Sequence, residues 1–447
     1  MKKIIATVLC LAALTFVMCS CSDGKSFADN ENLLNKYEHS KDTEKTYNYS
    51  DGAVNPPSDY ATFSNEISDF TLRMFRNYNK STDGSSYVFS PAVTALQLGL
   101  VSNGASGETR DEILGVLSKS LGLDELNQCM SYFKSRLEAV GTEEPDDSDA
   151  ESKSNDEKGK QSFVKLGTNL LVNDISDVKS KFVQTDADYF GCDIFRFMFD
   201  DDNAVTKVNG LFSDFTDGDA FSELDSEQTL VSATSSDICD SWLNAYAKTD
   251  LKSGSFMSSN GESDVTYMTS GETYMKTGSA QAILKYTADT PLKFMAILPN
   301  EGIDIDDYIA DFTNLELSKL FDSVDFSKSA SAVIPEFSIK SDSKACDITS
   351  VLEDSGLYTL FSEKAEFDGL TRTDDFEFNA MYELMPQFSV NSCGIGGTQK
   401  KGDEPLLKEH TAKAQKTDIT VEFNKPFIFL VLDNESNIPV YIGTYKG

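Results

Sequence analysis

Two nearly continuous apolar segments place the strongest constraint on the fold of this chain. They cover residues 292–298 (LKFMAIL) and 427–432 (FIFLVL), and each has the length of one strand rather than of a helix. Strands of this kind are buried on both faces, so further layers of the protein must cover both sides of their sheet. Val333, Phe337 and Ile339 instead alternate with other residues, which predicts a strand with one covered face.

Helical signals precede these strands in the chain. Ser90 places a capping hydroxyl before Pro91, which suits the first position of a helix. Residues 109–112 (TRDE) have the spacing of a capping box that opens a second helix. Residues 130–137 predict a third helix, and residues 347–357 a short one that begins with an Asp and ends at a Gly. Helices first and strands later predict an α+β fold.

Two polar stretches delimit and interrupt the folded region. Residues 22–58 and 141–161 are rich in Ser, Asp, Asn, Glu and Lys and contain few aliphatic residues. Such segments bury too little apolar surface to offset the entropy lost on ordering, so we predict a disordered tether and a disordered acidic insertion. The region 59–447 is long enough for two domains, but it contains no other linker-like break, and we interpret it as one large domain.

Residues 1–21 have the pattern of a signal peptide. A basic start precedes an apolar run over 4–17, which is too short to span a membrane. The exit at 18–21 (MCSC) resembles a bacterial lipoprotein signal in which Cys21 becomes the lipid-modified N-terminus; Cys19 and an ordinary cleaved signal are the alternatives. The sequence thus predicts a secreted protein that is either a cell-surface lipoprotein or extracellular. It would contact the membrane only through a lipid anchor.

Composition excludes several classes of function. The chain contains 73 acidic and 39 basic residues, and its net charge of −34 repels nucleic acid and anionic lipid, so nucleic-acid binding is excluded. The cysteines beyond Cys21 are odd in number and widely spaced, which argues against a disulfide framework and a zinc site. Most are predicted to be small buried apolar residues; they are Cys129, Cys192, Cys239, Cys346 and Cys393.

Catalytic and metal-binding patterns are missing from the sequence. Its two histidines, His39 and His410, lie in polar segments, so neither a Ser-His-Asp or Cys-His arrangement nor a multi-histidine metal site can be assembled. The acidic runs 200–202 and 304–307 lack the spacing of a calcium loop and are interpreted as solvated charge. Residues 394–397 (GIGG) do not follow the strand-to-helix pattern of a nucleotide-binding loop. We expect no enzyme activity, no metal and no cofactor.

The ordered segments together resemble one family, the serpins, over nearly all of residues 60–447. Residues 87–114 (YVFSPAVTALQLGLVSNGASGETRDEIL) are similar to the family's Phe-Ser-Pro helix and the Gly-rich segment after it. Asn209 resembles the start of an Asn-x-Trp-Val helix, with Leu in place of the Trp. The only Trp of the chain, Trp242, ends a segment similar to the family's central strand, and the closing segment 421–447 matches the family's terminal strands.

The resemblance implies a single α+β domain in which N-terminal helices pack on large mixed and antiparallel sheets. It also implies an exposed reactive loop over about 394–420. In an inhibitory serpin a target protease, usually of the serine class and sometimes of the cysteine class, cleaves this loop as a suicide substrate and forms an acyl-enzyme. The cleaved loop then enters the central sheet as an added strand. Trp242 would lie in the breach, where insertion begins. By this resemblance the protein acts as a monomer and performs no catalysis itself.

The hinge of the loop departs from the inhibitory pattern of Glu-Gly-Thr followed by alanines. If Gly394 fixes the register, the side chains that point inward include Ile395, Lys401 and Asp403, with Pro405 next. Burying an unpaired charge is costly and proline removes a ladder donor, so partial insertion is expected and full insertion is opposed. The hinge residues are Ser392, Cys393, Gly394, Ile395, Gly396, Gly397 and Thr398.

The sequence leaves alternatives open for the position of the scissile bond and for the function. Counting from Gly394 gives Lys408-Glu409, whereas counting back from the terminal motif gives the neighbourhood of Gln415; Lys408 and Lys413 would suit a trypsin-like protease, and Ala414 an elastase- or subtilisin-like one. Three hypotheses remain open. They are a protease-trapping serpin, a non-inhibitory serpin-fold surface lipoprotein with a binding or protease-substrate role, and an unrelated solute-binding lipoprotein.

Overall fold

The computed structural model describes eleven stretches of the chain. The predicted signal peptide (1–21), the predicted acidic insertion (141–161) and residues 397–418 lie outside the described residues, and so does most of the predicted tether. Within the described part, no helix is long and apolar enough to cross a membrane. The stretches are 32–38, 55–139, 162–174, 177–213, 215–216, 218–258, 261–325, 327–340, 344–373, 376–396 and 419–447.

Helices dominate the first third of this structure, as the sequence predicts. Those of the described residues are α1 (Tyr60–Ser81), α2 (Pro91–Gly104), α3 (Gly107–Leu117), α4 (Leu123–Glu138), α5 (Ser180–Tyr189), α6 (Ala204–Leu211), α7 (Ile305–Asp311), α8 (Asn314–Asp322) and α9 (Thr349–Asp354).

The strands form two large sheets. In chain order they are β1 (Tyr87–Phe89), β2 (Phe163–Asn173), β3 (Asp193–Phe197), β4 (Leu230–Ser241), β5 (Leu251–Ser258), β6 (Gly261–Lys276), β7 (Ala280–Tyr286), β8 (Leu292–Pro299), β9 (Ser329–Pro335), β10 (Phe337–Ile339), β11 (Ala345–Asp347), β12 (Phe378–Leu384), β13 (Phe388–Val390), β14 (Gly394–Gly396), β15 (Ile419–Glu422), β16 (Phe427–Asp433) and β17 (Pro439–Tyr445). Sheet A has the order β10-β13-β14-β4-β12-β11, with β2 beside β4 and β3 beside β2. Sheet B has the order β1-β17-β16-β8-β7-β6-β9-β15, with β5 beside β6.

The core lies between the two sheets and around α2. This helix packs against β17 of sheet B and against β2 and β4 of sheet A, and each of its residues except Asn103 is buried. The two apolar segments of the sequence are the neighbouring strands β8 and β16, which are buried at every position. A chain of this length therefore folds as one domain, because the same core serves both sheets.

The structure corrects two predicted helix starts and the interpretation of one acidic run. Ser90 does precede α2, but its hydroxyl donates to the Val440 carbonyl rather than capping the helix. The helix α3 begins at Gly107, so Thr109 lies inside it and accepts a hydrogen bond from the Glu366 backbone. The run 304–307 is not merely solvated charge, because its first carboxylate caps α7. The predicted glycine stop of α9 is present, since Gly356 has a φ of +110°.

One part of the predicted tether is ordered, so the prediction of disorder is wrong for Asn32–Glu38. The Asn32 side chain donates to Asp193 Oδ1 at 2.7 Å and accepts from the Ile194 backbone at 3.2 Å. Leu33 and Tyr37 pack against the core cluster. The segment thereby covers β3, the outer strand of sheet A, whose backbone would otherwise be an open edge.

Cysteine burial follows the sequence prediction in part. Cys129, Cys192 and Cys239 are buried, whereas Cys346 and Cys393 are partly exposed, and none of the five takes part in a disulfide. Burial raises the pKa of the Cys129 thiol to about 12, so this thiol stays protonated and behaves as an apolar side chain.

Candidate functional site

The hinge is a tight turn that sends the chain back into sheet A. The strand β13 leads into Asn391, and β14 then returns between β13 and β4, antiparallel to both. The Asn391 side chain accepts hydrogen bonds from the backbone N–H groups of Cys393 at 2.9 Å and Gly394 at 3.3 Å. The Asn391 N–H donates to the Gly394 carbonyl at 3.1 Å. An asparagine at the first position of a turn commonly makes such bonds.

Hydrogen bonds from the segment after β4, and one to Glu336, hold the outside of this turn. Trp242 donates twice, from its backbone N–H to the Cys393 carbonyl at 2.9 Å and from Nε1 to the Asn391 carbonyl at 2.7 Å. The Tyr246 N–H donates to the Ser392 carbonyl at 3.3 Å, and Glu336 Oε1 accepts from the Ser392 N–H at 2.9 Å. The indole of Trp242 is buried, so its single polar group needs a partner such as this carbonyl.

Two glycines allow β14 to lie this close to β4. A Cβ on Gly394 would stand 1.9 Å from the Asp240 carbonyl oxygen, and one on Gly396 would stand 2.5 Å from that of Ile238. Gly396 also has a φ of +143°, which side-chain-bearing residues rarely adopt. Between them, Ile395 is buried in the main core, at the inward position that the register anticipates.

Below the hinge, sheet A is closed. The strand β12 pairs in parallel with β4 from Phe378 opposite Leu230 to Leu384 opposite Ser235. The described part of β14 ends where Gly396 lies opposite Cys239, and the closed β12–β4 pair begins at Ser235, four residues earlier on β4. The expected partial insertion is thus the arrangement present in the structure. Residues 397–418 then lead from β14 of sheet A to β15, which pairs in parallel with β9 of sheet B.

A buried ammonium group supports the aromatic residues behind the hinge. Lys285 Nζ lies 5.2 Å from the ring centroid of Trp242 and 4.4 Å from that of Tyr246. It also lies 2.6 Å from Glu272 Oε1, and the Lys285 side chain is only 2% exposed. Cation–π contacts and an ion pair together compensate the loss of hydration of this charge. Sequence reasoning missed both charged residues.

A second carboxylate at the end of β4 was also missed. Asp240 accepts hydrogen bonds from the Thr290 N–H at 2.7 Å and hydroxyl at 2.6 Å, and from the Ser162 hydroxyl at 2.9 Å. These bonds tie the end of β4 to the loop before β8 and to the residue before β2. The strand that receives the hinge is therefore held at its end by these two segments.

The structure brings together only part of the predicted site. Ser392, Cys393, Gly394, Ile395 and Gly396 form the turn and β14, and Trp242 lies beside them. Among the described residues, no group of three or more His, Cys, Asp or Glu is arranged to hold a metal. The remaining predicted residues lie outside the described residues; they are Cys21, Gly397, Thr398, Lys408, Glu409, Lys413, Ala414 and Gln415.

Comparison with known proteins decides the family. The family model described as "Serpin (serine protease inhibitor)" matches residues 65–446. The chain is a serpin. Its fold agrees with the solved structure of tengpin, a thermophilic serpin in the native state, with a TM-score of 0.72 and 23% identity over 93% of this chain and 99% of that one.

The relatives of this serpin include an inhibitor and a carrier. Plasma serine protease inhibitor of Mus musculus is 22% identical, with 89% of this chain and 92% of that protein aligned. Corticosteroid-binding globulin of Sus scrofa is 24% identical, with 88% and 93% aligned. Family membership alone therefore does not distinguish protease inhibition from small-molecule binding.

Proposed function

We propose that this serpin is a suicide-substrate inhibitor of serine or cysteine proteases, with the serine class as the first expectation. The observation that carries the proposal is the hinge, whose first strand residues are already inserted between β13 and β4 while the pair below them is closed. A loop that begins inside the sheet has a defined path for continued insertion. In this proposal the serpin itself performs no catalysis.

The proposed mechanism couples cleavage to strand insertion. The protease hydroxyl or thiol attacks a loop carbonyl, an ester or thioester forms, and the new amino terminus leaves. The hinge side of the cut loop then extends β14 downward as β12 separates from β4, and each added residue gains hydrogen bonds to strands on both sides. The protease is carried along on the acyl bond before water can hydrolyse it.

The location and the cleavage point complete the proposal. The signal peptide and Cys21 make this a secreted serpin, anchored at the cell surface by lipid, that acts as a monomer on its target protease. Lys408 or Lys413 would direct it to trypsin-like proteases, and Ala414 to elastase- or subtilisin-like ones. The acidic body supports this location, since it keeps the protein away from anionic lipid except through the anchor.

The deciding experiment is incubation of the full-length protein with trypsin-like, elastase-like and subtilisin-like proteases. We expect one class to give a complex that survives denaturing electrophoresis, and the cleaved protein to unfold at a clearly higher temperature than the intact one. Sequencing the released C-terminal fragment identifies the scissile bond. Clean cleavage with neither a complex nor a rise in unfolding temperature would overturn the proposal.

A second candidate function, binding of a small molecule, is supported by a cavity of about 560 Å³. It lies between the start of α1, α8 and the turn from β16 to β17, and Tyr60, Leu317 and Phe321 provide apolar parts of its wall. Its volume is in the range of ligand pockets, and one relative is named for corticosteroid binding. Equilibrium dialysis with a corticosteroid tests it: binding that Leu317→Trp abolishes favours a carrier, and no binding removes this candidate for that ligand class.

A further inference from the structure

One buried carboxyl group lies in the closed part of sheet A and has no role in the hinge. Glu383 of β12 is 1% exposed and lies opposite Thr234 of β4. Its Oε1 accepts a hydrogen bond from the Ser90 N–H at 2.6 Å, just before α2. Its Oε2 has no hydrogen-bond partner among the described residues. A carboxylate held by a single backbone donor is far more costly in the core than the neutral acid.

Within the part of the chain that the structure describes, no cation compensates this group. The titratable side chains nearest to it there are the Tyr441 phenol of β17 and the Cys346 thiol, which lies opposite Glu383 on β11. Asp237 of β4 acts on the same phenol and adds only negative charge. The neighbouring elements α2 and α9 contribute Ser90 and Thr349, which do not titrate. Burial raises the pKa of Glu383 to about 7, and the hydrogen bond from Ser90 offsets only part of that rise.

We propose that Glu383 is a protonation-dependent latch, which holds β12 against β4 when neutral and lets the two strands separate when ionised. Separation opens a gap along β12, so water and the backbone of an entering strand can reach Oε2 and solvate the charge. In the closed pair the charge of Glu383 is not solvated in this way, because the Ser90 N–H is the one described donor that reaches this carboxyl group. This inference builds on the proposed insertion mechanism, but the opening of the pair can be measured without any protease.

The sign of the pH effect follows from the direction of the shift. The pKa of Glu383 is raised from its ordinary value of 4.5 to about 7 in the folded protein. The stabilisation of the closed state by the neutral acid is therefore complete below pH 4.5 and is lost as the pH rises through 7. The ionised fraction of such a group rises about tenfold between pH 6 and pH 8. Opening of the β4–β12 pair should rise by about the same factor over this interval.

Hydrogen exchange of the β4 and β12 amides in the full-length protein, corrected for the intrinsic pH dependence of exchange, measures this opening. We expect the rise between pH 6 and pH 8 in the wild type and a pH-independent, low level in Glu383→Gln. The matched control is Asp186→Asn, which removes another fully buried carboxyl, on α5 and away from the closed pair, whose pKa burial raises to about 8. This control should retain the wild-type pH dependence.

Each outcome decides the inference. No pH dependence in the wild type, or the same dependence in Glu383→Gln, would overturn it; both histidines remain in that variant, so their titration would also be revealed there. If Glu383→Gln does not fold, the inference is decided by the pH dependence of exchange in the wild type and in Glu383→Leu. The pH-dependent opening could depend on Glu383 even if the cleaved loop never inserts. That result would support the latch and refute the proposed inhibitory function.

Discussion

The variant Gly394→Val is expected to release the hinge from sheet A and, under the proposed inhibitory mechanism, to make the protein a plain substrate of the protease. A Cβ at this position would lie 1.9 Å from the Asp240 carbonyl oxygen, a backbone atom of β4 that cannot move aside cheaply. Overpacking of this kind costs about 1–3 kcal/mol, so the yield of covalent complex should fall about tenfold or more relative to cleavage. Gel quantification of complex against cleaved protein measures that partition.

The control for this variant is Gly271→Val. Gly271 is also inside a strand, β6 of sheet B, but no described residue other than its chain neighbours lies within 4 Å of the position its Cβ would take. It should trap the protease as the wild type does. The emission of Trp242, the only tryptophan, reports hinge release independently, because its indole N–H is bonded to the hinge turn. Unchanged emission and an unchanged yield of complex in Gly394→Val would contradict the assigned role of the hinge.

Patterns confined to neighbouring residues predicted the fold well. The strands β8 and β16 were predictable because burial on both faces leaves an almost unbroken apolar run. The start of α2 was predictable because proline has a clear position preference. The bonding of Ser90 was not, because its hydroxyl reaches a carbonyl 350 residues away, and no local pattern encodes that partner.

Most of the site could be placed only through family resemblance. Trp242 and Gly394 were found by their place in motifs, whereas Lys285, Glu272 and Glu336 are single charged residues within strands or at their ends. The one usable signal was Lys285 itself, a lysine in the mostly apolar strand β7 for which a buried partner should have been sought. The docked segment 32–38 was missed because the three apolar side chains Leu33, Leu34 and Tyr37 are too few to raise the hydrophobicity of the surrounding polar stretch.

The two ends of the closed sheet are held by different chemistry. At the hinge, an ordered set of hydrogen bonds and the Lys285–Glu272 pair hold the end of β4 and the turn together. In the closed part, Glu383 leaves a polar atom without a partner among the described residues. In the proposed mechanism, insertion would therefore start from a well-bonded end and proceed into a region whose closure is less fully satisfied, which is the order that a one-way strand insertion requires.

The variant Glu272→Gln is expected to lower the free energy of unfolding by about 3 kcal/mol. It leaves the ammonium group of Lys285, which is 2% exposed, without the carboxylate 2.6 Å away, and a charge buried without its partner is strongly destabilising. The contacts of Lys285 with the rings of Trp242 and Tyr246 remain and limit the loss. Urea unfolding followed by circular dichroism measures the change, and Trp242 emission shows whether the hinge loosens first.

Restoring neutrality should restore stability. The double variant Glu272→Gln with Lys285→Met removes both charges and keeps the apolar stem, so it should unfold within about 1 kcal/mol of the wild type. The control Asp325→Asn breaks the Lys328–Asp325 pair, whose N···O distance is 3.0 Å but whose side chains are 61% and 46% exposed, and it should leave stability unchanged. Losses that simply add in the double variant would show that the two residues act independently. Lys285 and Glu272 would then not form a compensated buried pair. The positions of Trp242 and of the hinge would not depend on such a pair.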